Sequence, residues 1–322
     1  MADDLDLTLP FTTAQARAAG ITAGQLRSLR FRRLHHSIHV AAGVPLSSAT
    51  RARGALLLFP EGAHIGFALA AELYGVAVPR GLPIAVVVPV ESHRRRHGAL
   101  RCVVRRSPSR LVRGVPVATP EALFEQLAEV LGFVDLVVAG DAMLHGELTT
   151  VARLRQCLEQ SARPGAKRAL RTLPWLRVGA ESPPETRLRL LLQLAGLPAF
   201  ETQVKIHAPD GRLLQRHDLG HRRAKVAVEY NGRHHVELIE QWERDIERHE
   251  VSDDLDWRTI TVVSAGLNRD PARTIERVAR ALRQRGVHVG PISDEWKRYF
   301  NPSSHAPAPG QNAGFDDPNP TF

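Results

Sequence analysis

The chain has 322 residues, 43% of them hydrophobic, and a formal net charge of +9. That length suits two domains and that hydrophobic content suits buried cores. Cys102 and Cys157 stand far apart with no CxxC, which excludes a disulfide framework or a cysteine-based zinc site, and no apolar run reaches the ~18 residues that cross a bilayer. The positive balance is almost all arginine. It favours polyanionic partners such as DNA, RNA or an anionic surface without choosing among them, and a GC-rich genome also yields arginine- and alanine-rich chains. The acidic start, Ala2-Asp3-Asp4, has neither the basic nor the apolar region of a signal peptide, so the expected location is cytoplasmic, with no membrane partner.

Residues 1–46 form the first expected domain. Thr12-Thr13 can cap a helix running through Ala19, which Gly20 ends. Thr22 can cap a second helix over roughly 22–30, with Leu26 and Leu29 facing inward. Leu34, Ser37, Ile38 and Val40 suggest two short strands, and His35, His36 and His39 among them read as surface residues. Arg27, Arg30, Arg32 and Arg33 crowd the second helix and the entrance to this wing, where a winged helix-turn-helix meets phosphates and a groove.

Residues 47–180 read as an α/β connecting domain. The spacing predicts helices over about 47–59, 64–73, 119–131, 133–145 and 150–161, and strands over 84–89 and about 100–106. Residues 181–290 alternate more clearly. Ser182 with Pro183 and Glu185 gives a capping-box pattern at the start of a helix that ends near Gly196. Strands follow at about 202–207, 212–219 and 225–231, the first two joined by the turn Pro209-Asp210-Gly211. A helix over about 238–254, a strand over 257–263 and a helix over about 271–285 complete the order αβββαβα, with a crossover between the last two strands. The fold class is α/β locally and α+β overall. Residues 291–322 are expected to be a largely disordered tail.

The chemistry concentrates in two segments, His217-Asp218-Leu219 and Val226 to His235. An acid in mid-strand, Glu229, with another at the end of the preceding strand, Asp218, is costly unless it binds something. A hairpin brings these two together, and Glu185 on the preceding helix can point to the same end of the sheet. Carboxylates of this kind hold Mg²⁺ or Mn²⁺, which serves phosphodiester hydrolysis. Asp218 and Glu229 are the expected metal ligands.

On these residues, the segment 182–286 resembles the PD-(D/E)XK restriction-endonuclease-like fold, and within it the very-short-patch-repair-like group. The matching positions are Glu185, Asp218-Leu219, Glu229-Tyr230-Asn231-Gly232 with His235, and Asp245 with Arg248 on a downstream helix. The resemblance implies a metal-dependent DNA endonuclease, with Glu185, Asp218, Glu229, Asn231 and His235 catalytic. Gln241, Asp245 and Arg248 share a helix face by i, i+4, i+7 spacing, which suits either support of the metal site or a surface hydrogen-bond and ion-pair ladder. The departure is Asn231, where such enzymes carry lysine and this group aspartate. An amide can orient water but cannot act as a general base, which leaves His235 as the replacement. Residues 11–43, and Gly66 to Val76 after them, resemble the winged helix-turn-helix and following domain of abortive-infection antitoxins. That resemblance implies DNA binding through Arg27, Arg30, Arg32 and Arg33 and leaves a toxin partner and a homodimer open. The rival reading is a catalytically inactive DNA-binding regulator.

Overall fold

The computed structural model describes residues 5–90, 100–232 and 255–300. It is a mixed α and β protein, α+β overall, that divides into two compact units. One comprises Met1–Leu131 with Thr149–Leu170, the other Gly132–Leu148 with Arg171–Phe322. No helix among the described residues is long and apolar enough to cross a membrane.

The first unit opens with β1 (Phe11–Thr12), α1 (Thr13–Ala18), α2 (Ala23–Leu26), β2 (Phe31–His35) and β3 (Ile38–Ala41). Thr12 and Thr22 each cap a helix in a reciprocal pair with a glutamine three residues on, Gln15 and Gln25. The strands form an antiparallel sheet in the order β1-β3-β2. Phe11, Ala16 and Leu26 make its core, with Phe31 edge-on to Phe11 at 5.7 Å.

Two expectations fail here. The second helix is a single turn, because the Ser28 hydroxyl donates to the Gln25 carbonyl at 2.7 Å and its N–H donates to the same oxygen. Leu29 therefore lies beyond the helix and is 98% exposed rather than inward. His39, expected at the surface, is buried; its Nε2 meets the Thr13 hydroxyl at 3.1 Å and its ring stacks on Phe11.

The rest of this unit contains α3 (Ser48–Leu56), β4 (His64–Gly66), α4 (Phe67–Leu73), β5 (Ala85–Val88), β6 (Arg101–Val104), β7 (Ser109–Val112), β8 (Val115–Ala118) and α5 (Pro120–Ala128). After α6 (Phe133–His145), which belongs to the second unit, come α7 (Val151–Glu159) and α8 (Pro164–Thr172). The five strands form one mixed sheet in the order β6-β5-β4-β8-β7. The helix expected from residue 64 starts at Phe67, because His64–Gly66 pair with β5 and β8. The β7–β8 hairpin turns through Arg113 and Gly114, both at positive φ, without the Asn-Gly or Asp-Gly that announces such a turn.

The second unit contains α6, α9 (Pro183–Leu194), β9 (Glu201–His207), β10 (Leu213–His221), β11 (Val226–Asn231), β12 (Arg258–Val263), α10 (Ser264–Asn268), α11 (Pro271–Gln284) and α12 (Lys297–Phe300). The sheet order is β12-β11-β10-β9. β9, β10 and β11 pair antiparallel in sequence, whereas β11 and β12 pair parallel. Parallel pairing requires the chain to return along the sheet between those strands; the helix expected over 238–254 lies outside the described residues. Val226 and Val228 are fully buried, and α9 and α11 pack on β11 through apolar positions such as Leu188, Leu191 and Val278. Residues 291–300, read as the start of the tail, carry α12 and the buried Trp296 and Phe300.

α9 is anchored by a buried polar cluster. Asp141 of α6 has no exposed surface and accepts from the Arg177 N–H at 2.7 Å, the Thr186 hydroxyl at 2.9 Å and Arg189 Nη2 at 2.7 Å. Two of these donors lie on α9, so the cluster fixes the helix that carries Glu185.

Candidate functional site

The ladder between β10 and β11 runs from His221 opposite Val226 to Leu219 opposite Val228. Beyond it side chains take over. Asp218 Oδ2 accepts the Tyr230 N–H at 2.9 Å, and His217 Nδ1 lies 2.6 Å from Glu229 Oε1. An ionised carboxylate only accepts, so Nδ1 carries the proton in this pair. His217 has no exposed surface, and its ring lies 5.0 Å from that of Trp257.

β9 bends beside this point. Gln203 adopts φ +51, and the pairing of β9 with β10 passes from Thr202 to Val204 without it. Val204 is thereby driven against Gly220, where a Cβ would stand 2.7 Å from its Cγ2. The Gln203 amide is freed to donate to Glu185 Oε2 at 3.0 Å.

Glu185 is the third residue of α9, but its cap differs from the expected box. Ser182 makes no side-chain bond to the helix backbone; its hydroxyl donates to Glu185 Oε1 at 2.7 Å, and the Glu181 N–H donates to Oε2 at 3.0 Å. The carboxylate is thus held by three donors and aimed towards the strands.

The acids share one electrostatic field. Burial pushes the Asp218 carboxyl up to about 6, against the pull of the Tyr230 N–H; the charges of Glu185 and Glu229 push the same way, and Arg216 opposes them. Arg216 itself is engaged by Glu181 in a two-pronged pair at 2.6 and 3.0 Å. Asp218 Oδ1 accepts no hydrogen bond among the described residues.

Of the expected site residues, Glu185 and Glu229 both lie near enough to Asp218 to raise its carboxyl electrostatically. Asn231 ends β11 opposite Val263. His235, Gln241, Asp245 and Arg248 lie outside the described residues. Lys225 sits before β11 at φ +50, with Nζ donating to the Leu255 carbonyl at 3.1 Å. Arg27, Arg30, Arg32 and Arg33 are exposed around α2 and β2 in the first unit, and none forms an ion pair among the described residues.

Chemically, Asp218 and Glu229 are oxygen donors of the type that suits a hard divalent cation, and each raises the negative potential at the other. The fit is of donor type and not of a finished cage: among the described residues no three His, Cys, Asp or Glu side chains form a ready ligand set. Sequence reasoning missed His217 and Gln203. A histidine inside Leu213–His221 was a visible signal for a buried partner to an acid, whereas nothing in the sequence marks Gln203 for positive φ.

No family model matches the chain. It is similar to two proteins of Mycobacterium tuberculosis, from strains CDC 1551 and H37Rv, each described only as uncharacterized. Identity to each is 32% over 124 residues, 38% of this chain and 45% of the relative, so the chain spans less than half the length of the curated relatives it matches.

Proposed function

We propose that the chain is a metal-dependent DNA endonuclease, with a winged helix-turn-helix at its start and a restriction-endonuclease-like αβββαβα core in its second unit. The observation that carries this reading is Asp218, at the point where β10 and β11 part, pushed up to about 6 with Glu185 and Glu229 adding negative charge beside it. A fold keeps so costly a group where a cation or a proton is to be held. The antiparallel, antiparallel and parallel pairing of β9 to β12, with α9 before it and α11 after it, supports the same core.

Asp218 and Glu229 would hold Mg²⁺ or Mn²⁺, which when bound neutralises phosphate charge and acidifies a water. His217 fixes Glu229 Oε1, so the carboxylate is oriented before any ligand arrives. Glu185, clamped by Ser182, Glu181 and Gln203, keeps the third carboxylate in place. Asn231 orients water through its amide, and proton transfer falls to His235. Arg27, Arg30, Arg32 and Arg33 meet backbone phosphates.

The test is incubation of the purified chain with labelled single-stranded, duplex, mismatched and branched DNA in Mg²⁺, Mn²⁺ or EDTA, beside Asp218→Ala and Glu229→Ala. Metal-dependent products, absent from both variants while their DNA affinity persists, are expected. Equal cleavage by parent and variants would remove the site assignment. One observation favours a second reading, a DNA-binding regulator without catalysis: Asn231 puts a neutral amide where a basic or acidic side chain would assist proton transfer. DNA bound under every condition and cut under none would select it.

A further inference from the structure

We infer that the outer face of α11 is a phosphate-backbone track for nucleic acid, adjoining the acidic site. This rests on the reading of nucleic acid as the ligand, but not on cleavage. Arg273, Arg277 and Arg280 are all exposed on this helix, whereas its apolar side chains Ile275, Val278 and Leu282 are buried. At 1.5 Å of rise per residue the arginines succeed one another at steps of roughly 5 Å on one face. None of the three is paired with a carboxylate among the described residues, although Glu276 shares their face.

The position of the face ties it to the site. Arg277 Nη2 donates to the Thr261 carbonyl at 3.2 Å, and Thr261 is the residue paired with Glu229 across β11 and β12. With strands ~4.8 Å apart, the guanidinium lies on the order of 10 Å from the Glu229 backbone. A nucleic acid strand whose phosphate lay at the acids would have its neighbouring phosphates within reach of these arginines.

The occupant is nucleic acid rather than a lipid surface. A helix that lies on a membrane puts its apolar face into the lipid, and here that face is already spent on the sheet. What remains outward is arginine at close spacing, suited to a backbone that carries one charge per ~3.4 Å along each strand.

The test compares the parent with the triple variant Arg273→Gln, Arg277→Gln and Arg280→Gln. Glutamine keeps helix propensity, and circular dichroism melts confirm the fold. Binding to labelled duplex DNA is followed by anisotropy in EDTA across a salt series. The slope of log K against log salt is expected to become shallower by about 2.7 in the variant, from three lost phosphate contacts at ~0.9 each. Parallel slopes for parent and variant would overturn the inference, as would a parent that binds no nucleic acid. So would arginine-dependent binding to phosphatidylserine vesicles with an unchanged DNA slope. DNA binding with the expected change but no cleavage in Mg²⁺ or Mn²⁺ keeps the track and removes the nuclease; cleavage with unchanged slope does the reverse.

Discussion

Asp141, fully buried, and Asp218, half-buried, are two aspartates of the second unit that are treated in opposite ways. Asp141 receives Arg189, the Thr186 hydroxyl and the Arg177 N–H. Asp218 receives the Tyr230 N–H, while Glu185 and Glu229 add negative charge beside it. In both, burial pushes the carboxyl up. Among the described residues, it is at Asp141 and not at Asp218 that a full cation, Arg189, stands at hydrogen-bond distance. The difference separates an acid whose charge is answered by a buried arginine from one beside which two further carboxylates add negative charge; on the reading proposed above, only the second has a place for an external cation.

The largest effect is expected at the first of these. Asp141→Ala leaves Arg189 charged, buried and without its carboxylate, a change that typically costs about 3–5 kcal/mol. Urea denaturation should show a lower midpoint at unchanged m-value, their product falling by that amount. Asp141→Leu combined with Arg189→Met, which removes both charges, should recover most of the loss. If the double variant is as unstable as the single one, α9 is not anchored by charge pairing.

A smaller effect is expected at the donor to Glu229. His217→Phe keeps a ring against Trp257 but removes the 2.6 Å contact to Glu229. Partners that orient a metal ligand typically carry 10–100-fold in metal affinity, so Mn²⁺ binding measured by calorimetry should weaken by about that factor while the melting temperature without metal moves little. A large loss of metal-free stability with unaltered Mn²⁺ affinity would make His217 a packing residue.

The comparison also marks where sequence was sufficient. Strand alternation and turn chemistry located β9, β10, β11 and β12 within a few residues, and Pro209-Asp210-Gly211 does turn between the first two, with Gly211 at φ +86. Glu229 could be placed in its strand because a mid-strand acid breaks an apolar pattern, and Glu185 by its position at the start of a helix, whereas Asp218, expected at a strand end, lies inside β10, which runs on to His221. His217 escaped because its role depends on β10 parting from β11 on the side of Leu219 that precedes it in the chain, and not on spacing. Asp141 was invisible as an anchor because it sits in a helix 45 residues from its partner Thr186. β7 and β8 escaped because Arg113-Gly114 is a weak turn signal, and Leu29 misled because a serine hydroxyl ended its helix early.

The smallest effect is the one that most directly contrasts the two aspartates. Asp218 has a folded value of about 6 against an ordinary 3.8, so between those values the folded state holds the proton more tightly than the unfolded chain. Its contribution to stability is therefore fully present below pH 3.8 and lost as pH rises through about 6. Asp218→Asn cannot ionise, yet its carbonyl still accepts the Tyr230 N–H. In EDTA above pH 6 it should be more stable than the parent, by on the order of 1 kcal/mol after allowance for solvent screening, and the two should converge at low pH. Mn²⁺ should raise the melting temperature of the parent, because a ligand bound only by the folded state stabilises it, and should leave the variant unmoved. A metal response retained by the variant, or a variant less stable than the parent in EDTA, would place Asp218 with Asp141 among the acids that serve the fold.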